Sequence, residues 1–247
     1  MAGKFVIRLA DVNIGVTHRC RRVRQMCDEY IVDAEPEFTV KVTAADIRAD
    51  RERDPGAINR RLIHKLLAPR YYEATSIYRK ICLKLMDYDA FLLHAAVVSV
   101  DGEGYAFLAK SGTGKTTHAK YWLEYFGNRA FMVNGDKPIL RIIGDQVYAY
   151  GTPWCGKENQ NTNTGVPLKA MFFLERGQGT TVTKMPGTMI PERIASQLLI
   201  TKNGKERERT FELADRAMAL VPMYRLSCDM NPDTAMIAWQ SIQDSKD

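Results

Sequence analysis

The chain has 247 residues, 45% of them hydrophobic and 26% charged, with a formal net charge of +6; that is enough chain to bury a sizeable core, and the composition excludes an intrinsically disordered protein. No apolar run approaches the roughly 20 residues needed to span a bilayer, and the opening Met-Ala-Gly-Lys-Phe-Val-Ile-Arg has neither an apolar stretch nor a small-residue cleavage site of a secretory signal, so no membrane partner is expected and the cytoplasm is the expected address. The five cysteines, at 20, 27, 82, 155 and 228, form no C-x-x-C pair, which predicts reduced thiols rather than a disulfide framework or a zinc knuckle.

Residues 4–9 and 37–43 alternate apolar and polar side chains and predict two short strands. Between them, 14–32 fits neither period, and the charged stretch 45–61, interrupted by Asp54-Pro55-Gly56, reads as a loop or a polar helix. The first 70 residues carry 14 Lys or Arg against 10 Asp or Glu, densest at Arg19, Arg21, Arg22 and Arg24. Without interleaved aromatics or a nucleic-acid module this cluster reads as a solvated basic face, with phosphate contact as the alternative. Ile77, Ile81, Leu85 and Tyr88 recur at helical intervals and predict a helix over 74–88. A boundary near 85 then separates an N-terminal strand and helix region (1–85), suited to substrate or partner binding, from a nucleotide-binding domain (86–247).

The second part is expected to open with one apolar strand over 90–100, then a hairpin turn at Asp101-Gly102-Glu103-Gly104 and a strand to Ala109. A helix over about 115–126 should stop at Gly127, and a strand 130–133 should run into Asn134-Gly135-Asp136. Strands at 139–143 and 146–150 form a hairpin about Gly144-Asp145, and 168–174 is another strand. Helices near 192–200 and 211–220, a strand at 223–227 and a last helix from Asn231-Pro232 complete the chain.

The segment Ala109-Lys110-Ser111-Gly112-Thr113-Gly114-Lys115-Thr116 fits the phosphate-binding P-loop, with Ala in place of the first Gly. Glycines at 112 and 114 let backbone N–H groups turn inward on phosphate oxygens, and the helix that follows presents its positive end to the same charge. Ser111, Gly112, Thr113, Gly114, Lys115, Thr116 and Thr117 are therefore the candidate nucleotide-binding residues. Lys115 would reach the β- and γ-phosphates, and Thr116 would offer its hydroxyl to magnesium. Asp136 follows an apolar strand, where P-loop proteins place a carboxylate on magnesium or its water; otherwise it is one residue of an Asn-Gly-Asp turn.

His94 lies in the predicted strand before the loop, as a proton carrier or phosphate contact, or else as a satisfied core histidine. The remaining histidines show no metal-ligand spacing, and His118 could face solvent. The polar stretch 151–163 is either a substrate-contacting segment or a solvent loop pinned by Trp154; Lys157 is its favoured functional residue. Cys155 is a weak nucleophile candidate, having no sequence feature that would lower its pKa.

His94, the short hairpin, Ser-Gly-Thr-Gly-Lys-Thr-Thr at 111–117 and the strand closing on Gly135-Asp136 together resemble the kinase domain of the HPr kinase/phosphorylase family. Its relatives include kinases of ribosomally made peptides such as lasso peptides. The resemblance spans about residues 90–175. The loop wording is also similar to ATP-dependent phosphoenolpyruvate carboxykinases, but this chain has no room for their organic-acid domain. The HPr kinase family carries two adjacent aspartates after the second strand, where this chain has Gly135 before Asp136.

The resemblance implies an α/β, P-loop-containing fold with helices flanking the sheet, and a hydroxyl acceptor, usually serine. Recurring hairpins add that the sheet is strand-rich and mixed. The expected activity is transfer of the γ-phosphoryl of ATP, or of GTP, to a hydroxyl of a peptide, protein or small molecule, with Mg2+ held by Thr116 and Asp136. Asp136 or His94 would orient or deprotonate the acceptor, while Lys115 and Lys157 neutralise developing charge. The alternatives are a nucleotide sensor without transfer chemistry and a nucleic-acid-associated NTPase. Nucleic acid is not the expected partner, and an oligomer is left open.

Overall fold

The computed structural model describes residues 3–53, 64–110, 113–187, 190–229 and 231–243, without the side chains of 64–70 and 190–192. Two compact units divide between Asp87 and Tyr88.

In the first unit, β1 (Gly3–Leu9) and β2 (Val12–His18) form an antiparallel hairpin. The chain then makes α1 (Arg21–Met26) and β3 (Phe38–Lys41), which pairs parallel with β2. The stretch that fitted neither period thus resolves into β2, α1 and a short 3-10 turn. Helix α2 (Ala44–Arg53) starts on a reciprocal cap: Thr43 Oγ1 accepts from the Asp46 amide at 3.2 Å, and Asp46 Oδ2 accepts from the Thr43 amide at 2.7 Å. Asp54-Pro55-Gly56 lies outside the described residues.

Helix α3 (His64–Leu85) buries Ile77, Ile81 and Leu85 as one stripe; Tyr88 belongs to a 3-10 turn beyond its end. Two buried acids support this unit. Glu73 accepts from the backbone amides of Arg19 and Cys20 at 2.6 and 2.9 Å, before α1. Asp50 accepts from Ser76 and Arg79, both at 2.6 Å. The four arginines of the basic cluster are exposed, with Arg24 lying 5.7 Å over the Phe5 ring.

The second unit is a nine-stranded mixed sheet with helices. The expected single strand over 90–100 is two strands, β4 (Ala90–Leu92) and β5 (Ala96–Val100). Its apolar run hides a change of neighbours at Leu93–Ala95, where the Leu93 amide donates to Pro138 O and the His94 amide to Gln197 O. A two-residue turn joins β5 to β6 (Glu103–Leu108), after which come α4 (Lys115–Phe126) and β7 (Ala130–Asn134). The hairpin β8 (Ile139–Ile143) and β9 (Gln146–Tyr150) pairs with β4 through β8.

Strand β10 (Gly165–Arg176) begins three residues earlier than expected and changes partner along its length. Its start pairs antiparallel with β9, and its later residues run parallel to β6. β11 (Thr181–Lys184), unforeseen from its exposed polar residues, follows, and then α5 (Ile190–Ala195), which is shorter than the helix expected to reach Ile200. Helix α6 (Gly204–Leu220) begins seven residues before the expected start, because Asn203 Oδ1 accepts from the amides of Lys205 and Glu206 while the buried stripe starts only at Thr210. β12 (Met223–Cys228) lies parallel to β10 and antiparallel to β11, and α7 (Thr234–Gln243) ends the described chain. No helix among the described residues is long and apolar enough to cross a membrane, and all five cysteines are free thiols.

The core of this unit lies where α4 and α7 cover β5, β6, β10 and β12. Trp122, fully buried, packs 4.9 Å from Tyr105 and 5.2 Å from Phe107, centroid to centroid. His118 belongs to this core: it is 4% exposed, and its Nε2 accepts from Trp122 Nε1 at 3.1 Å. The solvent-facing position open to it in the sequence is not the one it takes.

Candidate functional site

Strands β6 and β7 run the same way and β5 runs against both. One edge of the sheet therefore receives the end of β6, the end of β7 and the start of β5. Those three ends deliver the glycine-rich loop, Asp136 and His94. β10 and β12, parallel to β6, end on this edge too; ligands of open α/β sheets bind outside such carboxyl ends.

Of the loop itself, Ser111 and Gly112 lie outside the described residues. Ala109 is buried and Lys110 exposed, and the Thr113 amide donates to Lys110 O at 3.2 Å. Gly114, before α4, has φ 114°, which side-chain-bearing residues rarely adopt. As the N-cap residue, Gly114 has no side chain to cap the first turn of α4, whose leading amides have no partner within the helix. Thr116 and Thr117 sit half-buried on this turn. Lys115 bends back over the loop and donates from Nζ to Ala109 O at 3.2 Å. Burial, chiefly, lowers its pKa; the charge of Asp136 opposes this and that of Lys137 adds to it, so both groups act on the ammonium.

Beyond β7 the chain makes a turn built by Asn134. Its Oδ1 accepts from the amides of Asp136 at 2.9 Å and Lys137 at 2.7 Å, and its Nδ2 donates to Thr152 O at 3.0 Å. Thr152 Oγ1 donates in turn to Lys137 O at 2.9 Å. Asn134 and Thr152 are fully buried, so the backbone beneath Asp136 is fixed from both sides.

The Asp136 carboxylate lies 3.1 Å from His94 Nε2 through Oδ1 and 2.5 Å from Lys137 Nζ through Oδ2. Burial is the largest influence on its pKa and raises it; the His94 hydrogen bond and the charge and hydrogen bond of Lys137 together outweigh burial and hold the carboxyl far below the usual range. His94 is 37% exposed and sits in the break between β4 and β5, its amide held by Gln197 O at 2.8 Å. It is therefore not a core histidine inside a strand.

The polar stretch 151–163 is part buried and part solvent loop: residues 156–159, 162 and 163 are exposed, and Trp154, just before them in sequence, is buried. Gly151 through Cys155 are buried, and the chain returns along β7, with Gly135 N donating to Gln160 O at 3.0 Å and Thr162 N to Val133 O at 3.1 Å. Its turn leans on the site: a Cβ at Gly156 would stand 3.0 Å from that of Asp136, and Glu158 pairs with Lys120 of α4 at 3.2 Å. Lys157, between them, is exposed. The cation in contact with the carboxylate is instead Lys137, which sequence reasoning missed although it adjoins Asp136. Cys155 is buried, and burial raises its pKa, which disfavours a nucleophilic thiolate.

Gly135 is crowded. A Cβ there would meet the carbonyl oxygens of Cys155 at 3.1 Å and Gln160 at 3.4 Å. A second carboxylate beside Asp136 is absent from the sequence, and the backbone of the 151–163 segment would have to give by a few tenths of an ångström to admit one.

Asp136 and Thr116 are hard oxygen donors of the kind magnesium combines with phosphate oxygens and water. Among the described residues no three His, Cys, Asp or Glu side chains form a metal-binding group, so a divalent cation here would draw most of its ligands from phosphate and water.

No protein-family model and no curated protein matches the chain. Among solved structures, it is similar to the Hpr(Ser) kinase/phosphatase from Coxiella burnetii, with TM-score 0.35 and 8% identity over 62% of this chain and 95% of that one. That likeness is one of coarse fold and carries no argument about activity.

Proposed function

We propose that the chain is a magnesium-dependent kinase that transfers the γ-phosphoryl of ATP to a hydroxyl of a peptide, protein or small molecule. The observation that carries this reading is the His94–Asp136 pair, 3.1 Å apart, at the sheet edge where β6 leads through the glycine-rich loop to Lys115 at the start of α4. Loop amides, the first turn of α4 and Lys115 bind the phosphates. Asp136 and Thr116 would hold magnesium, which when bound would supply charge neutralisation at the phosphates. His94, partly exposed and oriented by Asp136, accepts the proton of the acceptor hydroxyl. Phosphoryl transfer depends mainly on positioning and electrostatics, so one carboxylate with a histidine suffices.

The test is incubation with γ-labelled ATP, magnesium and a cell extract, comparing wild type with Lys115→Ala and Asp136→Asn. Labelling of an acceptor by wild type, reduced by roughly 100-fold or more in each variant, is expected. ATP binding by wild type with neither labelling nor phosphate release would favour the second reading, a nucleotide sensor without transfer chemistry. Gly135 in place of a second carboxylate, crowded by the Cys155 carbonyl oxygen, is the observation behind that reading.

A further inference from the structure

Among the described residues, Lys137 and His94 are the basic side chains paired with Asp136. The Lys137 backbone is fixed at both ends, the amide on Asn134 Oδ1 and the carbonyl under Thr152 Oγ1, so only the side chain can move. That side chain is 42% exposed and ends on Oδ2, while Oδ1 serves His94. Gly156 covers Asp136 from a further side. A cation seeking Oδ2 would therefore approach the space held by the ammonium and be repelled by it. The charge of Lys137 also acts on Lys115. The Lys137 ammonium contacts the one carboxylate, and the Lys115 ammonium, held on Ala109 O, feels the charge of that carboxylate, leaving positive charge that an anion would neutralise.

We propose that Lys137 competes with a divalent cation for Asp136 and, when the cation takes the carboxylate, turns its ammonium to the terminal phosphate of the bound nucleotide. The proposal rests on the nucleotide-binding reading for its phosphate half alone. It assigns to Lys137 the charge-neutralising role that the sequence suggested for Lys157, and it makes metal and nucleotide binding cooperative, because each relieves what Lys137 costs the other.

The experiment titrates Mn2+ into the full chain without nucleotide, following free Mn2+ by electron paramagnetic resonance, for wild type, Lys137→Met and Lys137→Met with Asp136→Asn. Removing the ammonium should tighten Mn2+ binding on the order of tenfold, and the second substitution should abolish the gain. Titration of ATP with magnesium should then show binding weakened roughly tenfold in Lys137→Met and largely kept in Lys137→Arg, whose melting temperature also checks the fold. Equal Mn2+ affinity in wild type and Lys137→Met overturns the competition. Undiminished ATP affinity in Lys137→Met overturns the phosphate contact. If wild type itself binds no ATP, the nucleotide-binding reading and the phosphate contact fall together, whereas the Mn2+ comparison still decides the competition.

Discussion

Ionisable side chains around α4 are held in opposite charge states by their surroundings. Asp136 stays charged because His94 and Lys137 outweigh the effect of burial; its folded pKa lies below the unfolded one, so its full contribution to stability is present above the ordinary value of 3.8 and is lost progressively as pH falls from there through the folded pKa. His118 stays neutral because burial pushes its pKa from 6.5 down to about 3. Unfolded chains therefore bind a proton there that folded chains refuse, and stability should fall as pH drops from 6.5 towards 3, by up to about 1.4 kcal/mol per pH unit. Urea unfolding of wild type and His118→Gln at pH 7 and pH 5 checks this. The variant should lose less stability between the two, and equal losses would contradict the assignment. Lys115, Asp136 and His94 could be picked out from their order along the chain, since each follows or precedes an apolar strand. The Asn134 and Thr152 scaffold could not, because it depends on a return of the chain 15 to 18 residues later.

Among the elements, the 151–163 segment decides what the end of β7 can carry. It runs beside β7 closely enough that a Cβ at Gly135 would be crowded, 3.1 Å from the carbonyl oxygen of Cys155. Gly135→Asp should therefore destabilise the fold by about 1–3 kcal/mol by displacing backbone carbonyls, and should not raise activity despite adding a carboxylate. Thermal melting together with the labelling assay reads both; a variant that melts like wild type would contradict this packing. The hairpin of β8 and β9 and the limits of α4 were legible because turn residues and helix stops mark them locally. The break at Leu93–Ala95 was not, since an apolar run looks the same whether its residues pair with one neighbour or change to another. Nor was β11, whose exposed Thr-Val-Thr-Lys is fixed by pairing with β12 rather than by its own apolar pattern.

At the scale of the whole molecule, the second unit brings three chain-distant groups to one edge of a mixed sheet through strand direction alone: β6 and β7 run towards it, and β5 runs away. That mixed α/β character could be read from the recurring hairpins, whereas the switch of β10 between β9 and β6 could not. The first unit, with its own three-stranded sheet and exposed arginines, has no assigned part in the proposed chemistry. The central claim is that the edge binds a nucleoside triphosphate through Lys115. Calorimetric titration of ATP with magnesium into wild type and Lys115→Ala tests it most directly. The account predicts saturable binding at one site per chain in wild type, weakened roughly 10- to 100-fold by the substitution; equal affinity in both proteins, or no binding by either ATP or GTP to wild type, would contradict it.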